Sequence, residues 1–416
     1  MSVDEERAGE ALRSLMLTME LPPSRSDSDP VEDLAPRRTG PVLAMSAAAV
    51  VGVAGVLATI AVVGTHDRAG PVHGAAAAGD AVKCERPQPL LVSGFSGIRV
   101  AATDRSGRYV VGDGAPRGGG ARQMLLWLDG KATPVHVPAG SGPVDVNSSG
   151  VVAGGLHTYP PDKSVAWVYR DGQLHMLPPP SGFQYVSTVA VNERGDVAGT
   201  AAGPGDTLAA IVWPAGTPDT PVVLSAPSAA VAEDIADDGT VVGNLYESGS
   251  SAGGLNAGEA YVWSAGGAGR QLDTPAGWAA AKALRVEGDW IYGYTHDGVK
   301  AEINTDPSGP YIIARAAARW RLDDGALVEL PAHAKETIIS TMNAGWWLKA
   351  DGEPLMVTTD GRAIRVDLGD PEINHSLERL DTWVVGDISG EFVMYGHMPV
   401  KRGDSNDLAI RWTCRG

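Results

Sequence analysis

Few residues in this 416-residue chain have the type and spacing that chemistry would need. Asp145, Asn147 and Gly150 form D-x-N-x-x-G, the opening of a calcium loop, but the bidentate Glu of the twelfth position is missing. Asn or Asp ahead of glycine is also what a tight turn requires, so the turn reading takes precedence. The run GDGAPRGGG, Gly112 to Gly120, has the wrong spacing for a phosphate cradle, and no helix pattern follows it. The sequence contains no zincin pair, nucleophile elbow, P-loop, or cysteines and histidines at metal-ligand spacing, and its nine histidines are dispersed. No catalytic residue, metal ligand or cofactor is assigned. Cys84 and Cys414 are too few for a structural zinc site and are read as a pair.

The elements that would position any site are short strands. The chain has 53 Gly and 29 Pro but only 3 Phe, a balance that suits strands and turns over long helices. The segment AVNERGDVAG (Ala190 to Gly199) returns as DVNSSGVVAG (Asp145 to Gly154), DIADDGTVVG (Asp234 to Gly243) and ATDRSGRYVVG (Ala102 to Gly112). The closing glycines Gly112, Gly154, Gly199 and Gly243 stand 42, 45 and 44 residues apart, the period of a four-stranded propeller blade. After each motif comes an aromatic strand, around Trp127, Trp167, Trp213, Trp263 and Trp320. Asp129-Gly130, Asp171-Gly172 and Asp324-Gly325 then offer the preferred pair for a two-residue hairpin.

Further along, WIYG (Trp290 to Gly293) and WVVG (Trp383 to Gly386) are 93 residues apart, or two periods. Asn343 to Gly369 supplies the divergent unit between them, with Trp346 and Trp347 in its motif strand. The fold expected is all-β, a seven-bladed β-propeller over residues 84–416, with the VVG strand near the axis. The (D/N)-x-x-G-x-V-(V/A)-G element followed by an aromatic strand resembles the HAF-type extracellular repeats of bacterial β-propeller proteins. That resemblance implies a propeller outside the cytoplasm and no particular activity.

Residues Pro41 to Gly64 hold 24 positions without a charge, enough for one membrane-spanning helix. Arg37 and Arg38 flank its N-terminal side, which places the N-terminus in the cytoplasm. The same pair would serve a twin-arginine signal, and Ala75 to Ala78 would offer a cleavage site; a retained anchor is the reading preferred here. Residues 1–40 form a cytoplasmic tail in which Ala8, Ala11, Leu12, Leu15, Met16 and Met19 share one face of a short amphipathic helix. Residues 65–83 read as a flexible stalk.

The last aromatic strand, LAIRWTC (Leu408 to Cys414), has no closing strand of its own, whereas ERPQPLLVSG (Glu85 to Gly94) stands ahead of the first unit without a blade. Pairing the two antiparallel closes the ring by strand exchange and brings Cys84 and Cys414 together as a disulfide, with Cα atoms about 5 to 6 Å apart. A net charge of −17 repels phosphate backbones, so nucleic acid is not an expected partner. The function expected is a membrane-anchored binding or sensing module for a protein or glycan at the cell surface. The alternatives are an envelope hydrolase or lyase with its site in the axial channel, and a passive structural protein.

Overall fold

The computed structural model describes residues 82–156, 164–246, 258–274, 276–296 and 315–329, and beyond them a series of strands between 337 and 415. The amphipathic helix, the membrane helix at 41–64 and nearly all of the stalk lie outside the described residues. Among those that are described, the domain is all-β apart from one short 3₁₀ turn, Pro204–Asp206.

Two short strands come first, β1 (Val82–Cys84) and β2 (Gln88–Pro89). Four-stranded antiparallel sets follow. The first is β3 (Phe95–Thr103), β4 (Tyr109–Pro116), β5 (Gln123–Leu128) and β6 (Lys131–Val135). The second is β7 (Gly142–Val146), β8 (Val152–Leu156), β9 (Val165–Arg170) and β10 (Gln173–Leu177). The third runs from β11 (Tyr185–Val191) through β12 (Val197–Ala202) and β13 (Leu208–Trp213) to β14 (Val222–Val223). The fourth comprises β15 (Ala229–Ile235), β16 (Val241–Tyr246), β17 (Glu259–Trp263) and β18 (Gly269–Gln271). The fifth comprises β19 (Ala280–Glu287), β20 (Trp290–His296), β21 (Arg315–Arg321) and β22 (Leu327–Glu329). Next come β23 (Thr337–Met342), β24 (Gly345–Ala350), β25 (Glu353–Thr358) and β26 (Ala363–Asp367), then β27 (Asp381–Val385), β28 (Glu391–Pro399) and β29 (Asp407–Arg415).

This is a β-propeller. From the first set to the fifth, the first strand of one set packs beside the first strand of the next; β23 then packs against β20 and β21, β27 against β23, and β3 against β28 and β29, so the succession returns on itself. The core lies between neighbouring sets, in separate clusters. Trp213 fills the space between the second and third sets, Trp263 between the third and fourth, and Trp320 between the fourth and fifth. Each indole also donates to the carbonyl of a connecting segment, Trp213 to Pro178 (2.9 Å), Trp263 to Ser225 (2.8 Å) and Trp320 to Asp273 (2.7 Å). Burying so large a ring with its N–H satisfied removes apolar area from water without stranding a donor. Asp129 and Asp171 take φ of 49° and 51° with Gly130 and Gly172 at 79°, the hairpin geometry their sequence asks for.

The ends meet as expected, and more firmly. β1 and β2 pair antiparallel with β29, Cys84 opposite Cys414 and Gln88 opposite Arg411, and the cysteines form a disulfide. β1 also pairs parallel with β26, Val82 opposite Val366, so it ties two sets together. The Cα atoms are 3.9 Å apart, closer than the expected 5 to 6 Å. The reason is the register: Glu85 N–H donates to Thr413 O, which makes Cys84–Cys414 a non-hydrogen-bonded pair, where facing strands approach most closely.

Two expectations are corrected. The VVG strand is second in its set, and the strand before it faces the axis. WVVG at 383–386 is not a motif strand either: Trp383 to Val385 lie in the first strand of its set, and the second-strand glycine of that unit is Gly396 on β28. A β-branched run ahead of glycine fits either position, so the local pattern alone could not fix the phase.

Candidate functional site

The motif glycines shape the site from a distance. Gly112, Gly199, Gly243 and Gly293 each face the residue just before a β-bulge on the first strand: Val100, Thr188, Ala232 and Ala283. A Cβ on these glycines would lie 1.9, 2.1, 2.0 and 1.8 Å from the backbone oxygens of Arg99, Ser187, Val231 and Lys282. Glycine is therefore what lets the bulge form, and a bulge re-aims the side chains that follow it. Gly154 plays the same part opposite Pro143.

The residues after the bulges, Ala102, Asp145, Ala190, Asp234 and Arg285, all line one axial cavity, together with Val144, Val189, Glu233 and Leu284 from within the bulges. A second cavity adjoins it on the side of the turns, lined by Arg105, Asn147, Asn192, Glu193 and Asp237. Thr103, Asp145, Asp234 and Arg285 belong to both and divide one from the other.

Asp145 and Asp234 do the same structural work. Asp145 accepts from Val146 N–H (2.9 Å) and from Val191 N–H of the next set (2.8 Å). Asp234 accepts from Ile235 N–H and Val286 N–H, both at 2.8 Å. Asn147 is equally committed: its Oδ1 accepts from Ser149 and Val151, and its Nδ2 donates to Asn192 O. The calcium-like motif is thus a turn and a staple between sets. Among the described residues no group of three or more carboxylate, histidine or cysteine side chains is placed to hold a metal. The glycine-rich run divides between β4 and the hairpin after it, where Arg117 N–H donates to Gly94 O.

Burial raises the Asp145 carboxyl to about 6, with the nearby Asp234 charge adding to the effect and the two N–H bonds opposing it. Burial likewise raises Asp234, against the Arg285 charge. Glu233 rises to about 7 by burial, although Asn244 donates to it at 3.0 Å and Lys282 stands near. Arg105 crosses from the first set to Asp237 of the fourth at 3.0 Å, and Asp237 also accepts from Glu193 N–H. Arg285 makes no hydrogen bond or ion pair with any described residue. The Oγ1 of Thr103, a residue only 5% exposed, has no partner either.

These shifts give stability a sign with pH. A carboxyl whose pKa is higher folded than unfolded binds its proton more tightly in the native state, so its contribution is complete below about pH 4 and is lost as pH rises through 6 to 7. Asp113 works the other way: burial opposes ionisation, but hydrogen bonds from Arg122 and Arg99 outweigh it and lower its pKa, so that contribution is lost on acidification below pH 4. Unfolding should therefore need most denaturant near pH 5 and become easier towards pH 8, by on the order of 1 to 3 kcal/mol per raised carboxyl. Glu233→Gln should flatten the neutral limb, as read by denaturant titration at several pH values. An unchanged slope in that variant would remove Glu233 from the account.

One other cleft stands out, between the second and third sets, with a volume of about 230 Å³ and lined by Val168, Leu177, Val197 and Trp213. Two of its polar groups are already engaged, Arg170 with Gly195 O and Ala215 O and His175 with Asp219. The axial cavities hold Arg285 and Thr103 Oγ1, neither of which has a hydrogen bond to a described residue. No sequence signal pointed to Arg285, because its significance comes from matching Asp145 and Asp234 in the repeat after a shortened turn.

The sequence matches no family model and no curated protein. The likeness to HAF-type repeats therefore rests on the repeat motif itself. Among solved structures, similar chain paths are found in the β-propeller domain of the trilobed protease from Pyrococcus furiosus, at TM-score 0.46 and 10% identity over 80% of this chain and 93% of that one. YCF48 from Cyanidioschyzon merolae gives TM-score 0.44 and 8% identity over 79% and 99%. A puromycin-hydrolyzing peptidase of Mycobacterium tuberculosis gives 0.43 and 14% over 79% and 54%. No activity follows from likenesses at this level.

Proposed function

We propose that this chain is a membrane-anchored binding or sensing module, a seven-bladed propeller held outside the cytoplasm by a helix at 41–64, which takes its ligand at the axis. One observation carries the binding reading: Thr103, Asp145, Asp234 and Arg285, from four separate strand sets, line the same two cavities, and the Arg285 guanidinium there has no hydrogen bond to a described residue. No histidine, serine or cysteine lines either axial cavity. The blade count is supported by the succession of strand sets, with the last completed by β1 and β2. The address is supported by the uncharged run with Arg37 and Arg38 on one flank, and by a disulfide, which persists in oxidising compartments. The ligand is met outside the cytoplasm, and the charge of −17 disfavours nucleic acid.

The test uses the full-length chain in detergent, native and Arg285→Gln, incubated with envelope extract. An envelope component retained by the native chain and absent from the variant supports the axial site; identical retention overturns it. Reporter fusions after residue 80 should be active only outside the cytoplasm, and a mature protein starting near Gly79 would refute the anchor. The raised carboxyls of Asp145 and Glu233 favour one second reading, an axial acid and base of a hydrolase or lyase. Envelope glycan cleaved by the native chain and left intact by Glu233→Gln would establish it.

A further inference from the structure

The axial cavities present charges of both signs at short range, and this limits what fits. Arg285 carries a fork of five donors with no hydrogen bond to a described residue, half-buried on the cavity wall and in the field of the Asp145, Asp234 and Glu287 carboxylates. A guanidinium whose N–H groups have no acceptor favours a planar anion that takes two parallel N–H bonds, above all a carboxylate. Asp145 and Asp234 share the same cavity wall, each with its oxygens held by two backbone N–H groups. They keep further lone pairs for a donor, and their charge repels a ligand that is only anionic.

A simple cation would meet the carboxylates of Asp145, Asp234 and Glu233 but would leave the Arg285 guanidinium without an acceptor. A metal ion lacks its ligands, since no described group of three or more donors is placed to hold one. Sugar rings commonly stack on an aromatic face, and neither cavity is lined by an aromatic residue. The remaining signal is Thr103: it is 5% exposed, lines both cavities, and leaves its Oγ1 without a hydrogen-bond partner. Buried hydroxyls are ordinarily satisfied, so an orphan one on the cavity wall marks a place for a ligand's polar atom.

We propose that the axial cavity binds a small zwitterion of the α-amino-acid type, its carboxylate on Arg285, its ammonium between Asp145 and Asp234, and a polar atom on Thr103 Oγ1. The inference rests on the axial binding reading and sharpens it. Arg285 and the two aspartates line one cavity, so both charges of such a molecule have a counterpart in it. Selectivity follows from the requirement for both charges, since a molecule with one of them meets repulsion from the other half of the site.

Isothermal titration calorimetry of the full-length chain in detergent tests it, with the common free amino acids as probes and acetate, methylamine and N-acetylglucosamine as controls. The expected result is one-to-one binding of at least one amino acid, with acetate and methylamine at least tenfold weaker. Arg285→Gln should weaken that binding at least tenfold, Arg285→Lys should restore part of it, and Thr103→Val, which keeps shape and loses the hydroxyl, should weaken it severalfold. Acetate binding as tightly as the amino acid would overturn the zwitterion assignment. So would N-acetylglucosamine bound by the native chain and lost in Arg285→Gln, while leaving the axial site itself intact. Failure of every amino acid to bind overturns the assignment as well; the envelope comparison with Arg285→Gln then decides whether the axial reading falls with it.

Discussion

Reducing the Cys84–Cys414 disulfide, or replacing both cysteines by alanine, should lower the unfolding free energy of the domain by about 5 to 6 kcal/mol on the chain-entropy argument. The bond joins residues 330 positions apart, so it removes from the unfolded chain nearly all the freedom that separates its two ends. It also holds the strand that completes the last set. β1 is only three residues long, and its sulfur joins a buried cluster of Val82, Val366, Phe392, Met394 and Trp412. Without the bond, β1 keeps two paired positions with β26 and two with β29, too few to stay in place alone. The loss should begin at that edge, with early hydrogen exchange in 82–89 and 407–415 ahead of the first four sets. Denaturant curves with and without reductant measure the size, and a difference below about 1 kcal/mol would show that closure depends on packing and not on the covalent link.

Adding one methyl group at Gly243 should cost more than about 3 kcal/mol and disturb the axial site as well, because the collision is with backbone. The new Cβ would lie 2.0 Å from Val231 O and 3.0 Å from Ala232 Cα. Neither is a side-chain end that can swing away. Relief requires β15 to lose its bulge or to part from β16, and either movement carries Asp234 with it. Gly243→Ala should therefore lower the unfolding midpoint and weaken any axial ligand together. Gly266→Ala serves as the control, since its nearest neighbour is the Ser264 hydroxyl at 3.9 Å, and it should stay within about 0.5 kcal/mol of the native protein. Equal effects of the two substitutions would dissolve the link between motif glycine and bulge.

Much of the architecture was written in the sequence because it depends on local rules. The alternation of β-branched residues, the Asp-Gly hairpins, and a tryptophan in the third strand of every unit but the sixth announce four-stranded units, and Trp127, Trp167, Trp213, Trp263, Trp320 and Trp412 are all buried as that pattern requires. The Cys84–Cys414 pairing was legible too, since a set lacking its outer strand and a strand lacking its set leave one way to close. The VVG motif also announced a glycine, though not its reason. The glycine relieves a bulge on the neighbouring strand, which no pattern within the motif records.

The axial site was decided by tertiary structure alone. Asp145, Asp234 and Arg285 are 89 and 51 positions apart in sequence, each in a stretch that reads as strand and turn. Their meeting depends on the rotation of one set to the next about the axis, together with bulges that turn the same repeat position inward in each of the first five sets. The sequence alone determined which residues pair with their strand neighbours. What faces the axis is the sum of many small inter-set rotations, and only closure of the whole ring brings those charges within reach of one another.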